Sequence, residues 1–110
     1  MKVSNMRSDK GNVIANQFHI IDGTNHTFVS YETTIAELHA ASAFIKINKD
    51  ALSYSRTTSR HFLNWIHEVL TVNKPARKDV EAWMRWRTIP ASINCYNTDI
   101  DIILVDESAF

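Results

Sequence analysis

Residues 53–72 read SYSRTTSRHFLNWIHEVLTV, and the folding of this stretch decides what the rest of the chain can do. Thr57, Thr58 and Ser59 each carry an oxygen able to accept an orphan backbone N–H, so a helix is predicted to open here. Phe62, Leu63, Ile66, Val69 and Leu70 then recur at the spacing of one helix face. Trp65 and Val72 flank that stripe, and Arg60, Asn64 and Glu68 fall opposite. No other stretch offers so wide an apolar face. The remaining elements are therefore expected to pack on it, with Phe62, Leu63, Ile66 and Leu70 at the centre of the core.

Length and composition bound the answer. A chain of 110 residues is one domain by size and can bury a core without staples. Twelve basic and twelve acidic side chains cancel, which argues against a uniformly basic nucleic-acid binder. The single cysteine, Cys95, excludes an internal disulfide and suits a reducing cytoplasm. No apolar run is long enough to span a membrane, and MKVSNMRSDKGN lacks the apolar core of a signal peptide. A cytoplasmic protein is expected. With Gly11 and Gly23 alone, there is no Gly-rich phosphate loop.

Read in order, residues 1–12 are polar and turn-rich and predict a flexible arm. Val13 to Ile21 alternates as a strand, with Phe18 and Ile20 on one side and Gln17, His19 and Ile21 on the other. Asp22-Gly23 signals a hairpin turn, and His26 to Tyr31 returns. Glu32 to Ser42 is pulled both ways: its alanines favour helix, while Thr33, Thr34 and Ile35 favour strand. A strand to about Leu38 is the preferred reading. Ala43 to Asn48 reads as a third strand. Asn73-Lys74-Pro75 opens a second helix, Ile89-Pro90 ends it, and Ile100 to Val105 closes the chain as a β-branched strand. The predicted fold is α+β: an antiparallel sheet of three to four strands packed against two helices, near 58–72 and 75–87. The predicted organisation is one domain, 1–110. Within it, 13–73 form the hairpin, third strand and central helix, and 74–110 an added helix and terminal strand.

The segments GNVIANQF (11–18), FVSYETTIA (28–36) and SYSRTTS (53–59), the last followed by Phe62-Leu63, resemble an uncharacterised small domain family of bacteriophage and plasmid proteins. The resemblance covers about residues 8–65. Leu52 departs from it, standing where the family often has an aromatic residue. The resemblance brings no activity and no catalytic residues. It implies a small phage or mobile-element protein that acts by binding. The leading expectation is an inhibitor of a host defence system, anti-CRISPR-like, that occludes a host protein or its nucleic-acid site. A single-stranded nucleic-acid-binding accessory protein is the alternative.

The residues themselves give little support to chemistry. His67-Glu68 begins the zincin helix pattern, but Thr71 stands where the second histidine belongs. His61 and His67 do not share a helix face. Nothing near Cys95 marks it as an activated nucleophile toward His19, His39 or His61. Asp99 and Asp101 share a strand face without evidence of a cleft. No catalytic residue, metal or cofactor is therefore expected, and the chain does not read as an enzyme. Binding is better supported. Residues 74–87 carry Lys74, Arg77, Lys78, Arg85 and Arg87 against Asp79 and Glu81. Val80, Trp83 and Met84 should face the core, which turns Arg85 and Trp86 outward. Lys78, Arg85, Trp86 and Arg87 are the candidate partner-binding residues. Tryptophan among arginines suits a protein hot spot and a stacked single strand alike. The expected partner is a host protein or ribonucleoprotein complex, with nucleic acid as the alternative and no membrane; oligomeric state stays open.

Overall fold

Ser55 caps the central helix, ahead of the Thr57–Ser59 run. In the computed structural model, which describes residues 1–8 and 10–110, its extended backbone places Oγ to accept the Thr58 N–H at 3.0 Å. Helix α1 then runs Arg56–Val69. Phe62, Trp65, Ile66 and Val69 are buried beneath it, and Leu70 is buried at its C-cap. Two details of the expected stripe change. Leu63 packs on the core from a half-buried position. Trp65, expected at the flank, is fully buried and stacks at 6.0 Å on Phe28 and 6.3 Å on Phe62.

The sheet departs most from expectation. Among the described residues it has seven strands rather than three or four, and it is mixed rather than antiparallel. In chain order these are β1 (Lys2–Arg7), β2 (Val13–Asp22), β3 (Asn25–Ser30), β4 (Thr33–His39), β5 (Phe44–Asn48), β6 (Thr88–Ile89) and β7 (Ile100–Val105). Their spatial order is β1-β2-β3-β4-β5-β7-β6. The first five form an antiparallel meander, β7 lies parallel to β5, and β6 is antiparallel to β7. Each departure has a cause. Lys2–Arg7 is an edge strand rather than a loose arm, held by the register Lys2↔Ile21 to Asn5↔Phe18. An edge strand pairs on one side only and can stay polar. The turn at Tyr31–Glu32 separates β3 from β4, which read as one continuous run. Between β5 and β7 lie two helices, so the chain returns in its original direction and pairs in parallel.

Register, not hydropathy, sets which face of β2 is covered. Gly23 takes φ +63° at the first position of a two-residue hairpin loop, a conformation glycine adopts at no steric cost. The register that follows opposes His19 to Phe28 and Gln17 to Ser30. Phe28 and Ser30 lie under α1, so Gln17 and His19 are buried with them. Phe18 and Ile20 face the uncovered side, beside Val3 and Val29.

Helix α2 (Arg77–Trp86) lies beside the crossover. The Asp79 carboxylate accepts the Ala76 N–H at 2.9 Å at its start. Val80, Trp83 and Met84 are buried, and Arg87 ends it in a left-handed conformation at φ +61°. The return to β7 is organised by Asn94, which is buried. Its amide donates toward the carbonyls of Ile89, Pro90 and Thr98, and its oxygen accepts the Tyr96 N–H.

Candidate functional site

The predicted partner-binding residues all lie exposed on or just after α2, but on different sides of it. Lys78 and Arg85 are one heptad apart and share the outward side of the helix. Arg85 also borders a shallow depression with Lys49, Leu52 and Met84. Asp79 and Trp86 are another heptad pair, and Trp86 stands one turn beyond Trp83 on that side. Arg87 is reversed by its left-handed backbone, and its guanidinium donates to the Met84 carbonyl, closing the helix. Trp86 and Arg85 therefore flank the helix rather than form one tight patch. Arg87 is in part a cap, which its sequence position does not reveal.

The Asp79–Trp83 side of α2 borders a groove of about 380 Å³. Its opposite wall is the α1–α2 connection, from Thr71 to Pro75, and Ser92 and Ile93 close one end. The wall is held by paired backbone: Val72 N–H donates to Ile93 O at 3.0 Å, and Cys95 N–H to Leu70 O at 2.8 Å. Val72 is 60% exposed and Trp86 62% exposed, so two large apolar side chains stand open on this part of the surface. The surrounding charge is basic. Arg77 is paired with Glu81 at 2.9 Å and Asp79 serves the helix start, which leaves Lys74, Lys78 and Arg85 without an ion-pair partner among the described residues.

A second concavity, of about 240 Å³, lies at the start of α1. Ser30, Tyr31, Thr33 and Ile35 line it from the β3–β4 hairpin, and Tyr54, Ser55 and Thr58 from the helix entry. Hydroxyls are chained along its base: Ser55 Oγ donates to Thr58 Oγ1 at 3.1 Å, and Thr58 Oγ1 bonds Ser30 Oγ at 2.8 Å. Tyr54 OH accepts from Asn48 Nδ2 at 2.8 Å. Both tyrosines are exposed. Tyr31 holds φ +56°, a costly conformation for a bulky residue, and its N–H donates to Asn16 O.

The third grouping is polar and runs from the buried His19 to the exposed Glu68. His19 Nδ1 meets Glu68 Oε1 at 3.3 Å, and His19 Nε2 meets His26 Nδ1 at 2.9 Å, which ties α1 to the β2–β3 hairpin. The His19 hydrogen bond holds the Glu68 carboxyl below its ordinary range, although burial opposes this. Burial lowers the His26 imidazole, and neighbouring His19 lowers it further. The ring nitrogens point at one another, so their lone pairs do not converge on a common ion. Among the described residues no group of three histidine, cysteine or acidic side chains is arranged to hold a metal. Cys95 is an exposed free thiol, and among the described residues no helix is long and apolar enough to cross a membrane.

A family model described as a family of unknown function, DUF8033, matches residues 1–82. The chain belongs to that family. No curated protein and no solved structure matches it. The DUF8033 match takes in β1 to β5, α1 and the first half of α2. All seven residues of the small cavity therefore lie inside it. The groove is divided: its Thr71–Pro75 wall and Asp79 fall within the DUF8033 span, while Trp83, Ser92 and Ile93 lie beyond it, as does the exposed Trp86 one turn along α2.

Proposed function

We propose that this protein is a non-catalytic binding module whose partner is another protein, engaged along the groove beside α2 and its Trp86 edge. The observation that carries this reading is the exposure of Trp86 one helical turn beyond Trp83, which lines the groove. A large aromatic left in water beside a groove is the composition of an interface anchor. The unpaired Lys74 on the groove wall favours an acidic partner surface, and Lys78 and Arg85 on the outward side of α2 would speed encounter with it. The resemblance to phage and plasmid proteins supports a finer form of the proposal. In that form the partner is a host protein, and the effect is inhibition of a host defence system by occlusion.

Capture from nuclease-treated host lysate on the immobilised protein tests the proposal. Trp86→Ala should keep the parent's circular dichroism and melting temperature, yet retain at least tenfold less of the captured partner, about 1.4 kcal/mol or more. Retention equal to the parent by a folded Trp86→Ala variant would remove this surface from consideration. A capture lost on nuclease treatment, with a steep salt slope, would replace the protein partner with a nucleic acid.

A further inference from the structure

We infer that the small cavity at the start of α1 is a second binding site, distinct from the α2 groove, and that it takes a proline-rich extended peptide. The argument rests on what the cavity offers to a ligand. None of its lining side chains carries a formal charge, so it presents nothing to neutralise a phosphate or a carboxylate. Its floor includes Ile35, fully buried, and its rims are the exposed rings of Tyr31 and Tyr54. Its volume of about 240 Å³ holds one or two small rings rather than a whole cofactor.

The hydrogen-bonding capacity is one-sided. Ser55, Thr58 and Ser30 carry three hydroxyl protons and share two bonds among themselves, so one proton is left to donate outward. The Tyr54 oxygen already accepts from Asn48, so its own proton is free to donate. Tyr31 and Thr33 add two further hydroxyls on the rim. The complementary ligand is neutral, apolar and rich in acceptors while poor in donors. A polyproline segment meets each condition: its carbonyls accept, its residues lack N–H groups, and its rings pack on aromatic faces at low entropic cost. A sugar would bring hydroxyl donors as well as acceptors and would need amide or carboxylate partners that this lining does not supply.

Tyr31 is placed for this role by its backbone. Held at positive φ at the hairpin turn, it stands on the rim instead of folding onto the sheet, and it stays 59% exposed. The hairpin and the helix entry that form the two walls are joined by the Ser30–Thr58 hydroxyl bond, so the cavity is built before any ligand arrives.

The test uses fluorescein-labelled decaproline as probe, read by fluorescence anisotropy on the full chain. A Gly-Ser peptide of equal length serves as control and inorganic phosphate as competitor. Saturable decaproline binding is expected, with none for the control and no competition by phosphate. Tyr31→Asn removes the ring while keeping a residue that tolerates the left-handed backbone, and should weaken binding about tenfold without changing the melting temperature. Tyr54→Phe keeps the ring and removes the donor, and should weaken binding several-fold. Trp86→Ala should bind decaproline like the parent, which separates this site from the α2 groove. The inference is overturned by an absence of saturable binding, by a folded Tyr31→Asn variant that binds like the parent, by competition from phosphate, or by loss of binding in Trp86→Ala.

Discussion

Phe62→Ala is the substitution whose cost the packing defines best. Phe62 is fully buried and forms a three-ring cluster with Phe28, at 6.2 Å, and Trp65, at 6.3 Å, which are themselves 6.0 Å apart. Removing the ring deletes its transfer free energy and leaves both neighbours facing a void. The void cannot readily close. Helix α1 is pinned at its start by the Ser30–Thr58 bond and farther along by Glu68 on His19. A loss of about 3–5 kcal/mol is expected, against a total of about 5–15 kcal/mol for a domain of this kind. At roughly 4 °C per kcal/mol this lowers the melting temperature by about 12–20 °C. Leu63→Ala, one residue on but only half-buried, should cost about a third as much. Urea titration and thermal melts of both variants against the parent give the comparison. A Phe62→Ala melt within a few degrees of the parent, or equal losses for the two variants, would refute the account of the core.

Acidification should destabilise the protein beginning near neutrality. His26 and His61 are both held below the ordinary imidazole value, His26 by burial and His19, His61 by burial and the nearby Arg60 and Lys74. The unfolded chain therefore takes up protons that the folded chain resists, and stability present above about pH 6.5 drains as pH falls below it. The lowered Glu68 carboxyl adds a further loss at more acidic pH. Melting temperature measured from pH 7.5 to 4.5 should fall, with His26→Asn flattening the upper part of the curve; a flat parent curve would contradict the burial of these rings. Asn94→Ala should cost about 2 kcal/mol or more, because it strips partners from buried carbonyls around Ile89 and Pro90 and from the Tyr96 amide. Calorimetry measures the loss, and Asn94→Asp, which keeps the acceptor alone, should recover only part of it.

The helices and the hairpin were legible because periodicity and turn residues agree there, although Ser55 rather than the Thr57–Ser59 run caps α1. Phe62, Ile66 and Leu70 mark α1, Pro75 precedes α2, and Asp22-Gly23 marks the turn. Strand direction has no such signature. IDIILV reads equally well in either orientation, and only the path through two helices makes β7 parallel to β5. Lys2–Arg7 escaped notice because an edge strand needs little hydrophobicity. Hydropathy pointed the wrong way in β2, where Phe18 looks like core and Gln17 does not, because the hairpin register overrides the pattern. At the candidate site, helix phase was enough to place Trp86 in water. It did not separate Arg85 from it or reveal Arg87 as a cap. The small cavity was illegible for another reason: Tyr31 and Tyr54 lie on two separate turns, and nothing local to either announces the other.

The position of β7 also has a consequence for how the molecule is made. It follows β1 to β6 along the chain, yet it belongs inside the sheet, between β5 and β6. The meander of β1 to β5 can zip up from neighbouring hairpins as the chain emerges. Until Ile100–Val105 arrives, however, β5 keeps a bare row of backbone donors and acceptors beside Ile45 and Ile47. That edge closes by a long-range pairing, which is slow relative to the local ones. During that interval the nascent protein carries an adhesive border, open to a strand from any neighbouring copy. Its yield in the cell is then governed as much by how quickly β7 docks as by the stability of the finished fold.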